Sequence, residues 1–251
     1  TTLFRSIEGT NEILTANRNS LQLFDMLHSM RQFDDLTYVH SVNVALIASI
    51  LGQWLKFSEK DIRILTISGL LHDIGKIMIP NEILTKPGKL TVAEYNIMKQ
   101  HVNFGYEKVK NQNIDIRIKE ACLLHHEKCD GTGDPFGLKS DHIPAVAKII
   151  AIADVYDAMT SARVYRGALC PFEVIDTMYK DAFTKFEPEY ILPFLKNVAS
   201  SYINNDVRLS DGRIGKVVLI NENALSLPIV QCEDEFIDLS KTRGLTVSAI
   251  L

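Results

Sequence analysis

The 251-residue sequence has only four cysteines, and no two of them are spaced as a CxxC pair. This spacing excludes a thiolate zinc ribbon and a CxxC redox motif. We therefore interpret the four as reduced thiols, which are typical of a cytoplasmic protein. One of them lies near a histidine pair and is kept as an alternative metal ligand. The four cysteines are Cys122, Cys129, Cys170 and Cys232, and Cys129 is the one near the histidines.

The sequence also lacks an apolar run of the ~18 residues that a membrane-spanning helix needs. The longest apolar stretch, Val42–Leu55, is interrupted by polar residues and a glycine, and we predict that it forms a buried central helix. We also expect no signal peptide. The chain begins at Thr1 rather than at a methionine, which suggests a fragment of a longer protein.

A strong excess of either charge is also missing, since 27 basic and 31 acidic residues give a net charge of −4. This balance gives no electrostatic footprint for binding a nucleic-acid polymer. A small anionic substrate stays compatible with it, because local cations and metal ions outweigh the net charge. The length allows one large domain and a small one.

What the sequence does contain is an ordered set of histidines and aspartates. Five of its seven histidines fall into one pattern with two carboxylates, and His28 and His142 stand outside it. Neutral imidazole and carboxylate are ligands of zinc, iron, manganese and nickel. Seven such groups exceed the needs of one ion, so we predict a two-metal site of the kind that supports in-line attack on a phosphate ester. The candidate ligands are His40, His72, Asp73, His101, His125, His126 and Asp154.

The order of these residues resembles that of the HD-domain metal-dependent phosphohydrolases. The finer resemblance is to the HD-GYP subgroup, the phosphodiesterases of the bacterial second messenger cyclic di-GMP, and it covers roughly residues 34–200. It is carried by the runs YVHS (38–41), LLHDIGKIMIP (70–80), KPGKLT (86–91), HHEKCDGTGDP (125–135) and IADVYDAMTSARVYR (152–166), together with Glu94, Tyr95, Met98, Lys99 and His101.

Two positions depart from the subgroup pattern. Asp134 replaces the tyrosine that gives the subgroup its name, and this puts partner binding in doubt more than hydrolysis. Leu36 stands where some members carry a glutamate that helps to hold a third metal, so two metals are expected rather than three.

The resemblance implies a role for each candidate site residue. His40, His72, Asp73 and Asp154 would surround one ion, and Asp73 would bridge to a second ion held by the remaining three histidines. Lys76 would contact a phosphate oxygen and stabilise the charge of the transition state. Arg163 and Arg166 would bind substrate phosphate or guanine, since arginine suits bidentate phosphate binding. The two divalent ions are expected to be iron, with manganese as the next choice.

Two acidic residues beside these ligands have open interpretations. Glu127 either hydrogen-bonds a ligand histidine or is solvated, and Asp157 either supports a ligand or is a structural hydrogen-bond acceptor.

The predicted fold is mainly α, an HD-domain helical bundle with a small C-terminal β appendage. Residues 1–33 are predicted as an N-terminal helical segment that connects or dimerises, 34–205 as the phosphohydrolase domain and 206–251 as a small β subdomain. Ser58 and Thr91 are predicted helix caps, and the helix after Thr91 is expected to carry His101. Residues 114–127 are predicted as a helix that ends in His125 and His126. The helix after Ser58 is expected to carry His72 and Asp73 on its last turn and to end at Gly75.

The predicted function is metal-dependent hydrolysis of cyclic di-GMP to pGpG by metal-activated hydroxide attack on phosphorus, with further cleavage to GMP left open. One alternative is another cyclic dinucleotide, such as cyclic GMP-AMP. Another is a catalytically weak sensor of the messenger that acts through protein contacts. The resemblance also implies a diguanylate cyclase (GGDEF) partner at the 130–135 loop and an upstream sensory domain. The N-terminal helical segment would allow a homodimer.

Overall fold

The computed structural model describes residue 30, residues 34–161 and residues 167–251, and most of these residues are helical. The predicted N-terminal helical segment therefore lies almost entirely outside the described residues. The α-helices of the described ranges are α1 (Asp35–Trp54), α2 (Glu59–Leu71), α3 (Asn81–Leu84), α4 (Val92–Lys99), α5 (His101–Val109), α6 (Ile116–Leu124), α7 (Ala145–Thr160), α8 (Pro171–Asp181) and α9 (Pro188–Ser201). Short 3-10 helices follow α2 and precede α7, at Ile74–Met78 and Ser140–His142.

The first helices begin where polar side chains cap them. The carboxylate of Asp34 accepts hydrogen bonds from the backbone N–H groups of Leu36 and Thr37 and so caps α1. Ser58 caps α2, and Thr91 with Glu94 forms a full capping box on α4. Both predicted caps are confirmed, because side-chain oxygens satisfy N–H groups that have no partner within the helix.

Helix α1 is the predicted central helix, and its inner face is buried. Gly69 of α2 lies so close to it that an added Cβ would be 2.5 Å from the Cα of Ala45. Only a glycine fits at this position, where the two helices pack closely. By length and composition alone α1 could also cross a membrane, but core helices of soluble proteins meet the same criterion, and 39% of its most apolar window is buried.

Three helices end or break earlier than the sequence suggested. Helix α2 stops at Leu71, so His72 is its C-cap and Asp73 lies beyond it. The helix that follows Thr91 is broken at Gln100, and α5 starts at His101. Helix α6 stops at Leu124, before the histidine pair. Consecutive side chains diverge on a helix, so ending the helix lets neighbouring ligand candidates turn toward one point.

Gly75 is not the predicted C-cap, because it lies inside the first 3-10 helix. A Cβ added there would lie 1.9 Å from the carbonyl oxygen of His101 and 2.4 Å from the backbone nitrogen of Gly105. The glycine therefore allows the segment after Asp73 to rest directly on the backbone of α5.

The C-terminal residues form an antiparallel sheet of β1 (Asp206–Leu209), β2 (Ile214–Leu219), β3 (Ile229–Cys232), β4 (Glu235–Asp238) and β5 (Val247–Ile250), in the order β4-β3-β2-β1-β5. The hairpin of β1 and β2 turns at Gly212, which has a φ of 93°, and pairs Arg208 with Ile214. Alternate residues such as Val207 and Leu209 are buried, as expected for a sheet with one covered face.

The observed architecture is mainly helical with a small C-terminal sheet, which confirms the predicted fold class. The chain divides into two compact units that meet in the sequence at Asp157 and Ala158. The predicted domain bounds stay predictions. All seven candidate metal ligands belong to the first unit.

Candidate metal centre

The seven candidate ligands come from five different parts of the first unit and lie together. His40 is on α1, Asp154 is on α7, and the other five follow the end of α2, open α5 or follow the end of α6. Their nitrogen and oxygen atoms form three overlapping groups, and within each group these atoms lie within 4.8 Å of one another. The groups are His101, His125 and His126; His40, His72 and Asp73; and His72, His125 and Asp154.

Three of the histidines are oriented by backbone carbonyl groups. The Nδ1 atoms of His72, His101 and His125 donate to carbonyl oxygens one helical turn earlier in the chain, which fixes the tautomer with a lone pair on Nε2. These oxygens belong to Gly69 at 2.7 Å, Met98 at 2.7 Å and Ala121 at 2.9 Å.

The Nε2 atoms of the same three histidines are buried and make no hydrogen bond. Leaving a buried acceptor without a partner costs about 1–3 kcal/mol. Three such atoms in overlapping groups of donor atoms, with carboxylates beside them, fit a site for metal ions. The set of neutral nitrogen and oxygen donors matches the ligand preference of borderline divalent metals.

Asp73 is placed to serve two ions. Its Oδ1 atom lies 3.3 Å from Nε2 of His101, and its Oδ2 atom lies 3.3 Å from Nε2 of His72 and 3.8 Å from Nε2 of His40. The Nζ atom of Lys76 also donates to Oδ2, at 2.6 Å. Burial opposes ionisation, but Lys76 and the neighbouring histidines hold the pKa of Asp73 well below its ordinary value. The two oxygens thus face different histidine groups, as a bridging carboxylate requires.

His40 is held by carboxylates on both ring nitrogens. Its Nδ1 atom lies 2.6 Å from Oδ2 of Asp157, and its Nε2 atom lies 2.9 Å from Oδ1 of Asp154. The other oxygen of Asp157 accepts a hydrogen bond from the side chain of Asn43 at 2.9 Å. Burial acts to lower the pKa of His40, but the two carboxylates outweigh it and raise this pKa to about 9.

The pKa values of His101, His125 and His126 shift in the opposite direction. Burial lowers the pKa of His101 to about 4 and that of His125 well below its ordinary value, and it also lowers the pKa of His126. These three rings are therefore neutral at pH 7, which is the form that binds metal.

The sequence leaves the role of Asp157 open, and it gives no sign of one further contact near the ligands. Asp157 touches the candidate ligand His40 directly, so it supports that ligand. Asn43, which holds Asp157, was not considered, although it lies one turn after His40 on the same helical face. Glu127 neither touches a histidine nor is solvated, because its buried carboxylate accepts the backbone N–H groups of Phe136 and Leu138.

The remaining sequence candidates are placed as follows. His142 is exposed and pairs with Asp141 at 2.8 Å, away from the cluster. Asp134 forms an ion pair with Lys99 at 3.2 Å. Among the described residues, the groups able to hold a metal contain only histidine and aspartate, so Cys129 is not part of them. His28, Arg163 and Arg166 lie outside the described residues.

Comparison with known proteins gives relatives along most of this chain. It is 36% identical over 203 residues to a cyclic di-GMP phosphodiesterase of Pseudomonas aeruginosa, covering 80% of this chain and 49% of the relative. It is 35% identical over 197 residues to the cyclic di-GMP phosphodiesterase response regulator RpfG of Xanthomonas campestris, covering 78% and 52%. A 3'3'-cGAMP-specific phosphodiesterase of Vibrio cholerae is 32% identical over 190 residues, covering 74% and 36%. The chain thus spans about half the length of the first two relatives.

Solved structures show the same fold. The HD domain of the L. monocytogenes phosphodiesterase PgpH, in complex with cyclic-di-AMP, aligns with a TM-score of 0.53 at 18% identity, covering 70% of this chain and 95% of that one. An HDG"Y"P protein from Bdellovibrio bacteriovorus aligns with a TM-score of 0.53 at 24% identity. The alignment covers 62% of this chain and 50% of that one. The HD domain family itself matches residues 15–190. This chain belongs to the HD domain family.

Proposed function

We propose that this chain is a metal-dependent phosphodiesterase of the HD-GYP subgroup that hydrolyses cyclic di-GMP to pGpG. The observation that carries the proposal is the set of three buried, unpaired Nε2 atoms beside two carboxylates. The cyclic di-GMP phosphodiesterases among the relatives support the choice of substrate.

The donor groups suggest how two ions would be shared. One ion would be held by His40, His72 and Asp154, and the other would be held by His101, His125 and His126. Asp73 would serve both ions through its two oxygens. When bound, such ions acidify water and neutralise charge on a phosphodiester. Iron is the proposed metal and manganese is the next choice, since both suit imidazole and carboxylate ligands.

The chain's own cation at the site is Lys76, which is partly buried against Asp73. Its Nζ atom donates to one carboxylate oxygen, so its other N–H groups can bind a non-bridging phosphate oxygen. Such a contact would stabilise negative charge as it grows in the transition state. Arg163 and Arg166 are proposed to bind substrate phosphate or guanine from outside the described residues.

A second candidate substrate is 3'3'-cyclic GMP-AMP. Two proteins of Vibrio cholerae named as 3'3'-cGAMP-specific phosphodiesterases are 32% and 35% identical to this chain. The same ligands and the same lysine would serve both substrates, because the bond that is cleaved is a phosphodiester in each.

Assignments beyond the site remain proposals. They are a cytoplasmic location in a bacterium, a homodimer, an upstream sensory domain and a diguanylate cyclase partner at the 130–135 loop. The ion pair between Asp134 and Lys99 gives this loop a charged surface where the subgroup has an aromatic one. The loop variant Asp134→Tyr, tested for binding to a diguanylate cyclase, would show whether that surface decides partner choice.

The test of the activity is anaerobic loading of the protein with Fe(II) or Mn(II), addition of cyclic di-GMP or cyclic GMP-AMP, and chromatography of the products. Asp73→Ala is the control, since it removes the carboxylate shared by both ions. Formation of pGpG that is lost in the control supports the proposal. Cleavage of cyclic GMP-AMP alone would transfer the activity to the second candidate. Binding without cleavage, at full metal occupancy, would identify a sensor instead.

A further inference from the structure

The ring of His126 is held differently from the other four candidate histidines. His72, His101 and His125 each donate from Nδ1 to a backbone carbonyl, and Nδ1 of His40 is bonded to Asp157. Within the described part of the chain, His126 makes no such bond. Its side chain is also the most exposed of the five, at 34%, and its nearest carboxylate oxygen is 4.0 Å away on Asp154. Apart from edge-on ring contacts with His101 and His125, the direction of this ring therefore depends on its backbone.

That backbone is held by the loop that follows it. The carbonyl oxygen of His126 accepts a hydrogen bond from the N–H group of Asp134 at 3.3 Å. The loop lies so close that a Cβ added at Gly133 would be 2.4 Å from the nitrogen of Lys128 and 2.6 Å from the oxygen of His126. The chain thus folds back over residues 126–128 with no room for a side chain at Gly133.

The side chain of Glu127 holds the C-terminal end of the same loop by hydrogen bonds. Its side chain is only 4% exposed, and its two oxygens accept the N–H groups of Phe136 at 2.7 Å and Leu138 at 2.8 Å. Hydrogen bonds to an ionised acceptor are short and about twice as strong as neutral ones. Glu127 directly follows the candidate ligand His126. Its side chain therefore holds residues 136–138 of the loop against the backbone next to that ligand.

We infer that Glu127 is a positioning residue that, through the 130–138 loop, directs His126 toward the ion it shares with His101 and His125. The inference rests on the metal site of the proposed function but not on its substrate. Groups that orient a metal ligand typically contribute 10–100-fold to metal affinity. Loss of Glu127 should therefore weaken one ion selectively and leave the ion near His40 in place.

The experiment is a titration of metal-free protein with Mn(II), comparing the wild type with Glu127→Gln by equilibrium dialysis. We expect two ions in the wild type, and in the variant one ion of unchanged affinity and one weakened about 10–100-fold. Electron paramagnetic resonance at an intermediate Mn(II) concentration reports the same event. The signal of a coupled ion pair should give way to that of isolated Mn(II). Thermal unfolding of the metal-free proteins shows that the variant is folded.

Two further variants distinguish the positioning of His126 from the effect of the Glu127 charge and from a general loss of protein stability. Gly133→Ala keeps the Glu127 charge but displaces the loop, and it should weaken the same ion. Asp115→Asn removes the charge that pairs with the side chain of Arg117 at 3.0 Å and keeps an oxygen able to cap α6, at the other end of the helix that leads to His125. It should lower stability and leave both affinities unchanged.

Equal two-ion binding by wild type and Glu127→Gln would overturn the inference, as would a wild type that holds a single ion. Equal weakening of both ions in Glu127→Gln would reduce the role of Glu127 to general stability and would also overturn it, as would the same loss of one ion in Asp115→Asn. If the wild-type protein bound two ions but cleaved no cyclic dinucleotide, the proposed function would be wrong and the inference would still hold.

Discussion

Nδ1 of His40 lies 2.6 Å from Oδ2 of Asp157, a buried carboxylate three residues after Asp154. Asp157 thereby directs the other ring nitrogen of His40 toward Asp154 and Asp73. A carboxylate behind a ligand histidine fixes its tautomer and makes it a stronger ligand.

Replacement of Asp157 by asparagine should weaken metal binding at His40. The amide keeps the size of the side chain but removes its charge, and we expect about a 10–100-fold loss of affinity for one ion. Equilibrium dialysis with Mn(II) measures this loss. Asn43→Ala removes the hydrogen bond to the other oxygen of Asp157 and should give a smaller effect in the same direction. An Asp157→Asn protein with wild-type affinity for both ions would contradict the prediction.

A side chain at position 75 should push the segment after Asp73 away from α5, which carries His101. A methyl group there would overlap the carbonyl oxygen of His101 and the backbone of Gly105, so α5 must shift. We expect Gly75→Ala to lower the free energy of unfolding by about 1–3 kcal/mol, as overpacking usually does, and to lower metal occupancy. Urea unfolding and metal analysis measure the two effects.

Gly105→Ala is the matched control for this substitution. Its methyl group would find its nearest neighbour, the nitrogen of Gly75, at 3.4 Å, which is an ordinary contact. Alanine also favours the helix over glycine by about 1 kcal/mol. If the two variants were equally stable and bound metal equally well, the close contact at Gly75 would have no importance for the site.

Metal uptake should release a proton from His40. In the metal-free protein the pKa of His40 is raised to about 9, so its ring carries a proton on both nitrogens at pH 7. A metal ion on Nε2 must displace one of these protons, and its apparent affinity should therefore rise with pH until about pH 9. Calorimetric titrations in buffers of different ionisation enthalpy count the released protons. Asp157→Asn should reduce that count at pH 7, because it removes one cause of the raised pKa.

Lys76 should matter for turnover more than for metal binding. Lys76→Met removes the cation beside Asp73 and keeps most of the volume of the side chain. We expect the rate of phosphodiester cleavage to fall about 100–1,000-fold, the usual loss when a donor to a developing charge is removed, with two ions still bound. The exposed Lys180→Met is the control and should change neither quantity. A variant with full turnover would show that Lys76 only neutralises Asp73.

Much of the framework is determined by short-range signals in the sequence. Ser58 and Thr91 start helices because a hydroxyl satisfies N–H groups two or three residues away, and Gly212 turns a hairpin because it adopts a positive φ. The order of histidines and aspartates likewise identified a candidate metal cluster, because few side chains suit such ions and seven of them occur together. All these features depend on residue type and local spacing.

Tertiary structure alone decided how these residues meet. The ends of the helices at His72, His101 and His125 follow from contacts between distant segments, such as Gly75 on the backbone of His101. The partners of Asp157 and Glu127 are likewise set by how the chain returns to α1 and to the 130–138 loop. A carboxylate can satisfy a histidine, a backbone N–H or water equally well. Only the packing that removes water and brings one of these within 3 Å selects among them.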